Sequence, residues 1–364
     1  MAEFLKQYQV TIETIGPLFI GAGKQLRKNE YILEGKRLYP IDEVKLMALL
    51  KRYNLLDKFV KDYKTKLADW LKKESVNSEE LANLGKYELD CRAVEKGTLE
   101  RDIQLFMKDW QGKPYVPGSS LKGALRTVLL GSEVMQNRGA YGRLAQEVER
   151  KANKEGKGIN RESKKLEEMV FGKVVGVKEE RVIRDTLSGL RVSDSRPLEV
   201  TDLTLCQKID VGVDGREEFV KLVRECIRPG TKIIFDLTID TYQCDIDGEK
   251  IMEAVNLFLA QYNQAFLLKF PERKILTYEK DVIYLGGGSG YATKTVSYNL
   301  LDERRSADTV GKIIDGTLEG KMRARHKHKL DSKKYGVSPH MAKETKYDGC
   351  PGQMGACKIA IEQV

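Results

Sequence analysis

The sequence predicts an α+β protein. Runs in which apolar and polar residues alternate are set beside longer runs with apolar residues at three- and four-residue steps, and glycine-rich turns separate them. Tyr8 to Ile15 alternates as a strand, and Gly16-Pro17 turns it into Leu18-Phe19-Ile20. Gly21-Ala22-Gly23-Lys24 follows, a glycine loop with bases at Lys24, Arg27 and Lys28. It is not a P-loop: the upstream glycine spacing is wrong, and Gln25 stands where a magnesium-binding Ser or Thr is needed. Tyr31 to Leu33 and Arg37 to Tyr39 read as two short strands around Glu34-Gly35. Ile41 to Lys73 reads as helix, with Leu46, Leu49, Leu50, Tyr53, Leu56, Phe59, Val60, Tyr63, Leu67, Trp70 and Leu71 on one stripe.

Tyr87 to Val94 and Leu99 to Met107 read as hairpin arms joined at Glu95-Lys96-Gly97. Residues 139 to 170 form a mixed-charge helical region broken at Gly156-Lys157-Gly158, an exposed surface. Leu190 to Ser195 is a strand leaving into a polar turn, and Leu203 to Val211 is another strand. Phe219 to Arg224 is too short for a long helix. Lys232 to Asp240 is a strand, Lys250 to Lys269 an apolar helix, and Val282 to Leu285 a strand that runs into Gly286-Gly287-Gly288-Ser289-Gly290. From Lys321 to Tyr347 the chain is basic and holds its only histidines, His326, His328 and His340. This segment is either a solvated or disordered tail or, with Tyr335, Met341 and Tyr347, a docking element for RNA.

Residues 114 to 126, Pro-Tyr-Val-Pro-Gly-Ser-Ser-Leu-Lys-Gly-Ala-Leu-Arg, are the most informative stretch. Pro117-Gly118 is turn chemistry, and Ser119 or Ser120 can cap a helix running through Leu129. Two hydroxyls, unpaired backbone N–H groups, Lys122 and Arg126 then crowd one helix N-terminus, which suits a phosphate. Gly123 permits close backbone approach. The competing reading is a capped helix packed on a sheet. The late glycine run can likewise present N–H groups to phosphate or sugar, with Tyr291, Lys294 and Thr295 beside it.

A chain of 364 residues with 41% hydrophobic content has room for two domains with real cores. Its net charge of +9 points to a polyanionic partner. Cys350 and Cys357, with His340 upstream, lack an obvious fourth ligand, so no metal and no cofactor are expected. Reduced thiols in a cytoplasmic protein account for the six cysteines. Neither a signal peptide nor a membrane span is expected.

Several of these pieces, in this order, resemble the RAMP superfamily of CRISPR proteins. They are Gly16 to Gly23, Pro114 to Arg126, Val170-Phe171-Gly172, Val192-Ser193-Asp194-Ser195, Arg228-Pro229-Gly230-Thr231 and Gly286 to Gly290. Within it, the chain is most similar to the family of fifth subunits of the type III-A (Csm) effector complex, which cap the end holding the crRNA 3′ region. The resemblance implies two ferredoxin-like (RRM-like) β-α-β-β-α-β domains with helical insertions. The first would span 1–212, with insertions at about 42–85 and 139–170; the second would span 213–364, with the glycine-rich loop and basic tail. It implies RNA contact by Gly21, Gly23, Lys24, Gly118, Ser119, Ser120, Lys122, Gly123, Arg126, Gly286, Gly287, Gly288, Ser289, Gly290 and Lys294. The implied partners are crRNA, target RNA, other Csm subunits (the RAMP backbone subunits above all) and host trimming nucleases. The implied role includes crRNA maturation and complex assembly. A hairpin near Arg92 to Lys96 would correspond to the thumb that inserts between bases in backbone relatives.

The alternative is a RAMP endoribonuclease, metal-independent or metal-dependent, acting on crRNA precursor or target RNA. Metal-independent cleavage in this superfamily commonly uses histidine, and every histidine here lies after residue 325. Target-cleaving relatives use an acidic residue soon after the first strand. Between Thr11 and Ile41 there are only Glu13, Glu30 and Glu34, and Glu34 reads as a solvated turn charge. A non-catalytic RNA-binding subunit is therefore expected. A nucleotide-binding or phosphotransfer enzyme is disfavoured, since neither glycine loop has the full fingerprint or an acidic metal pair.

Overall fold

The structure is a computed structural model. It describes residues 4–62, 66–95, 97–99, 101–154, 160–175, 182–275, 277–320, 322 and 326–364. Two sheets share one continuous core. The strands in chain order are β1 (Leu5–Thr14), β2 (Gly21–Leu26), β3 (Tyr31–Glu34), β4 (Arg37–Pro40), β5 (Leu89–Asp90), β6 (Ile103–Phe106), β7 (Gly172–Val175) and β8 (Val182–Asp185). They continue with β9 (Leu190–Val192), β10 (Leu203–Gly212), β11 (Glu217–Ile227), β12 (Lys232–Asp240), β13 (Val282–Tyr284), β14 (Met341–Tyr347), β15 (Cys350–Gln353) and β16 (Ala356–Gln363).

The first sheet has the order β13-β16-β1-β12-β9 and the second β15-β14-β10-β11-β6-β2. β1 is central because its alternating Tyr8, Val10 and Ile12 are all buried. Val10 faces Phe235 on one side and Ile361 on the other; Ile12 faces Ile233 and Ile359. Helices α5 (Gly118–Gln136) and α8 (Gly248–Ala265) pack on each other and on this sheet. They meet at Gly131, where a Cβ would come 2.6 Å from the Phe258 ring. In the second sheet β10 is buried along nearly its whole length, its polar Thr204, Gln207 and Asp210 included. Leu18 joins the sheets by exchanging backbone bonds with Ile227.

The expected division at 212/213 does not separate these layers. Lys232–Asp240, the helix at 250–269 and the strand at 282–285 were expected in a second domain, yet the two strands share a sheet with β1 and β9 and the helix packs on it. Local periodicity specifies that a strand exists and which faces are apolar; it carries no information on its partner.

The helical insertion is built from α1 (Glu43–Arg52), α2 (Leu56–Asp62), α3 (Leu67–Lys73) and α4 (Ser78–Asn83). The single helix expected over Ile41 to Lys73 is therefore broken. Asn54 adopts a left-handed φ of 54°, which ends α1 and lets Leu49 and Leu50 fold back onto Leu67, Trp70 and Leu71 around Ile32. A folded-back stripe buries its apolar face locally, which a straight rod could not do.

The hairpin expected from Tyr87 to Met107 does not form. Leu89–Asp90 pairs with β4, whereas β6 pairs with β11 and β2. Of the expected thumb, Arg92 is tied to Asp90 and, at 2.9 Å, to Asp348, and Val94 is buried. Lys96 lies outside the described residues. Phe219 to Arg224 belongs to an eleven-residue strand. The charged region contains α6 (Gly142–Lys154) and α7 (Asn160–Phe171), and the break at Gly156 to Gly158 lies outside the described residues. α6 buries Leu144, Ala145 and Val148, so its charge covers one face only. The basic segment is no free tail: from His328 onward it forms a turn, a short helix and β14, which pairs with β10 and β15. Lys321, Arg323 and Arg325 lie outside the described residues. No helix among the described residues is long and apolar enough to cross a membrane.

Candidate nucleic-acid interface

At the N-terminus of α5 the cap position is Pro117, and no side chain caps it, so neither Ser119 nor Ser120 fills that role. The Gly118 N–H instead donates to Asp194 Oδ1 at 2.8 Å, and Val116 N–H donates to Ser195 Oγ at 2.9 Å. A Cβ on Gly118 would sit 2.3 Å from the Ser193 carbonyl oxygen. The Pro-Gly-Ser-Ser and Val-Ser-Asp-Ser motifs are thus two halves of one backbone joint. Asp194 already supplies the negative charge that a helix N-terminus favours. Ser119 and Gly123 remain exposed, and Gly123 has open space where close approach was expected.

Arg126 is also committed within the fold. Its guanidinium bonds Glu167 and Asp185, each at 2.7 Å, and lies 5.0 Å from the Phe171 ring centre. Lys122 is half-buried and makes no ion pair among the described residues; burial pulls its ammonium below the usual lysine range. The two bases therefore separate by experiment. Arg126→Ala is expected to lower stability by about 1 kcal/mol in urea denaturation, with RNA association little changed. Lys122→Ala is expected to leave stability alone and reduce the salt slope of RNA binding by about one unit. The reverse assignment would restore Arg126 as a phosphate contact.

The two glycine tracts lie side by side, held by the Leu18-Phe19-Ile20 crossing. Gly287 N–H donates to the Phe19 carbonyl at 2.7 Å. Gly286, at φ 69°, could carry no Cβ, which would lie 2.2 Å from the same oxygen. Gly21 to Lys24 form the exposed edge of the second sheet, with a register shift between Gly21 and Gln25. Met107 N–H donates to Ile20 O at 2.8 Å, and Tyr115 N–H to Met107 O at 3.3 Å, bringing the approach to α5 beside this edge. Gly21 and the 286–290 loop thus meet across Phe19, and the chain leading to Gly118 and Ser119 runs beside the same edge. The Ser289 hydroxyl is buried and bonded to Thr293 at 3.0 Å, so it supports the loop rather than facing solvent.

Beneath the loop lies Arg224, which sequence reasoning missed. Its Nε donates to Gln104 Oε1 at 3.0 Å, and its guanidinium carbon lies 5.1 Å from the Phe19 ring centre. Nη1 is buried without a hydrogen-bond partner among the described residues, 2.6 Å from where a Gly288 Cβ would stand. Lys294 follows the loop on a short turn; burial, then the nearby Arg224 charge, lowers its affinity for a proton. Neither base has a carboxylate within ion-pair distance among the described residues. Lys294, Tyr291 and Arg126 line a cleft of about 270 Å³ between α5, α6, α7 and the segment that follows the loop. Lys343 of β14 packs against Gly290 and pairs with Asp210 at 2.9 Å. Alternation within a strand marks Arg224 only as a base between Val223 and Glu225; its position under glycine needs the pairing of two distant segments.

Trp110 is the other missed residue. It is 90% exposed, on a turn in which Asp109 Oδ1 accepts from the backbone of Gln111 and Lys113. An exposed indole in the polar turn Lys-Asp-Trp-Gln-Gly-Lys was the signal available. Glu34, read as a solvated charge, accepts from Lys72 at 2.9 Å and Ser78 at 3.0 Å, and the Lys72 bond holds its carboxyl below the usual range. The six cysteines are unpaired. Among the described residues, the cluster with metal-ligand character is His328, Asp331 and His340, not the cysteines with His340.

A sequence profile of the RAMP superfamily matches residues 11–291, from β1 to just past the late glycine loop. The chain belongs to the RAMP superfamily. Among relatives of this RAMP chain, the CRISPR system protein Csm5 of Mycobacterium tuberculosis is 29% identical over 392 residues, covering 100% of both chains. Csm5 of Streptococcus thermophilus is 29% identical over 333 residues, covering 86% of this chain and 87% of the relative. A chain in the cryo-EM structure of a type III-A Csm–crRNA–target RNA ternary complex matches with a TM-score of 0.63 at 16% identity, covering 98% of this chain and 100% of that one. The crystal structure of T. onnurineus Csm5 matches with a TM-score of 0.56 at 19% identity, covering 96% and 99%. Both share the mixed α+β RAMP fold.

Proposed function

We propose that this chain is a non-catalytic crRNA-binding subunit of a type III-A CRISPR RNA-guided antiviral complex. It caps the crRNA 3′ region and supports crRNA maturation and assembly with the RAMP backbone subunits. Full-length similarity to Csm5 proteins supports the placement. The observation that carries the grip is geometric: two glycine tracts share one crossing strand, with Arg224 and Lys294 uncompensated beside them. Glycine lets a phosphodiester reach the backbone, and the two bases supply charge where water is partly excluded. Such contacts hold a strand without reading its bases; base pairing with target RNA does the reading. Trp110 offers a ring on which a base can stack.

The first sheet supports one ferredoxin-like unit. Its elements run β1, α5, β9, β12, α8 and β16, and β9, β12, β1 and β16 pair antiparallel in that order, with β13 on the outer side of β16. The second sheet, with β6 and β11 parallel, is the layer that carries the basic edge.

Copurification tests the assignment. The native protein is expected to emerge with discrete short RNAs and other RAMP-like chains; a chain isolated alone and free of RNA would contradict it. The purified chain is expected not to cut RNA with or without magnesium. Turnover abolished by His326→Ala, His328→Ala or His340→Ala would instead establish a nuclease.

A further inference from the structure

The three histidines of the chain converge near one buried carboxylate. Asp331, 2% exposed, meets His328 Nδ1 at 2.7 Å, Ser338 Oγ at 3.0 Å and His340 Nδ1 at 2.9 Å. The His328 and His340 ring centres are 4.8 Å apart, with 32° between their planes. His326 stacks at 5.6 Å from His328 and 6.0 Å from His340, and Tyr335 covers His340 at 5.5 Å. An ionised carboxylate only accepts hydrogen bonds. Each imidazole therefore presents Nδ1–H to Asp331, and His328, Asp331 and His340 offer three ligand atoms within 4.8 Å of one another. Two imidazoles and one carboxylate are a donor set that suits zinc with one position left open.

We propose that His328, Asp331 and His340 together bind one divalent transition-metal ion of the zinc class, which takes the place of the protons the two rings share with the carboxylate. Imidazole nitrogen selects this class over magnesium or calcium, which prefer oxygen. The position of the site gives it a structural role. The His328 carbonyl lies against the helix Glu303–Thr317 at Gly311, where a Cβ would come within 2.4 Å. His340 directly precedes β14, the strand carrying Lys343 beside the glycine loop. A bound ion would clasp the turn, the short helix Asp331–Tyr335 and the entry to β14 into one unit.

The test uses the full chain, stripped with chelator, desalted, loaded with zinc alone and passed through gel filtration. Elemental analysis is expected to find close to one zinc per chain. The double variant His328→Gln/His340→Gln is expected to retain less than a tenth of that, while Cys350→Ser, which removes the exposed thiol, retains it all. Zinc at saturation is expected to raise Tm of the wild-type chain by about 3 °C or more, and magnesium not to. This second measurement stands even if the double variant fails to fold. Substoichiometric zinc in the wild type, full retention in the double variant, loss with Cys350→Ser, or an unmoved Tm would each overturn the proposal.

Discussion

Arg273→Met is expected to destabilise the fold by about 3–5 kcal/mol. Arg273 Nε bonds Glu344 Oε1 at 2.7 Å, and the two side chains are 2% and 5% exposed. The pair joins the segment after α8 to β14, so it fastens the second sheet to the helix layer of the first. Removing the guanidinium leaves a carboxylate buried without its counter-charge, and that penalty dominates the Coulomb energy lost. Guanidinium denaturation of the single variant and of Arg273→Met/Glu344→Leu separates the two terms. The double variant should recover most of the loss, because two apolar side chains of similar volume leave no orphan charge. A single-variant cost below about 1 kcal/mol would mean the pair is solvated in solution.

Arg224→Met is expected to do the opposite: weaken RNA association about tenfold and lower its salt slope by about one unit while leaving stability unchanged or slightly higher. The guanidinium has a buried Nη1 without a partner among the described residues, so the fold gains little from its polarity. A methionine keeps contact with the Phe19 ring and removes the orphan donor. Filter binding over a salt series, paired with thermal denaturation, reads both quantities. An unchanged salt slope would remove Arg224 from the grip. Gly286→Ala provides the contrast: its Cβ would collide with the Phe19 carbonyl at a φ that L side chains rarely adopt, so stability and binding should fall together.

These expectations differ in how much of them sequence could supply. Strand and helix existence was legible wherever the apolar period was long. Lys232–Asp240 matches its strand residue for residue, and the helix read over 250–269 matches one at 248–265 followed by a short turn. The long helix over 41–73 was illegible because its apolar stripe continues through Asn54, where one left-handed residue turns the stripe back on itself. The hairpin over 87–107 was misread because two nearby strands each found a distant partner. At the interface, the glycine tracts were visible as composition. The commitment of Arg126 to Glu167 and Asp185, and of the α5 terminus to Asp194, was not.

Local sequence suffices to read an α+β chain with RAMP motifs, a basic balance, two glycine tracts and no histidine near its first strand. Each of these is a property of residues close together along the chain. That β1 and β12 share a sheet, that the two glycine tracts meet over Phe19 and Arg224, and that the three histidines gather near Asp331 is visible in the folded chain alone. Pairing between distant segments is chosen by burial and hydrogen-bond satisfaction over the whole molecule, and no local pattern encodes that choice.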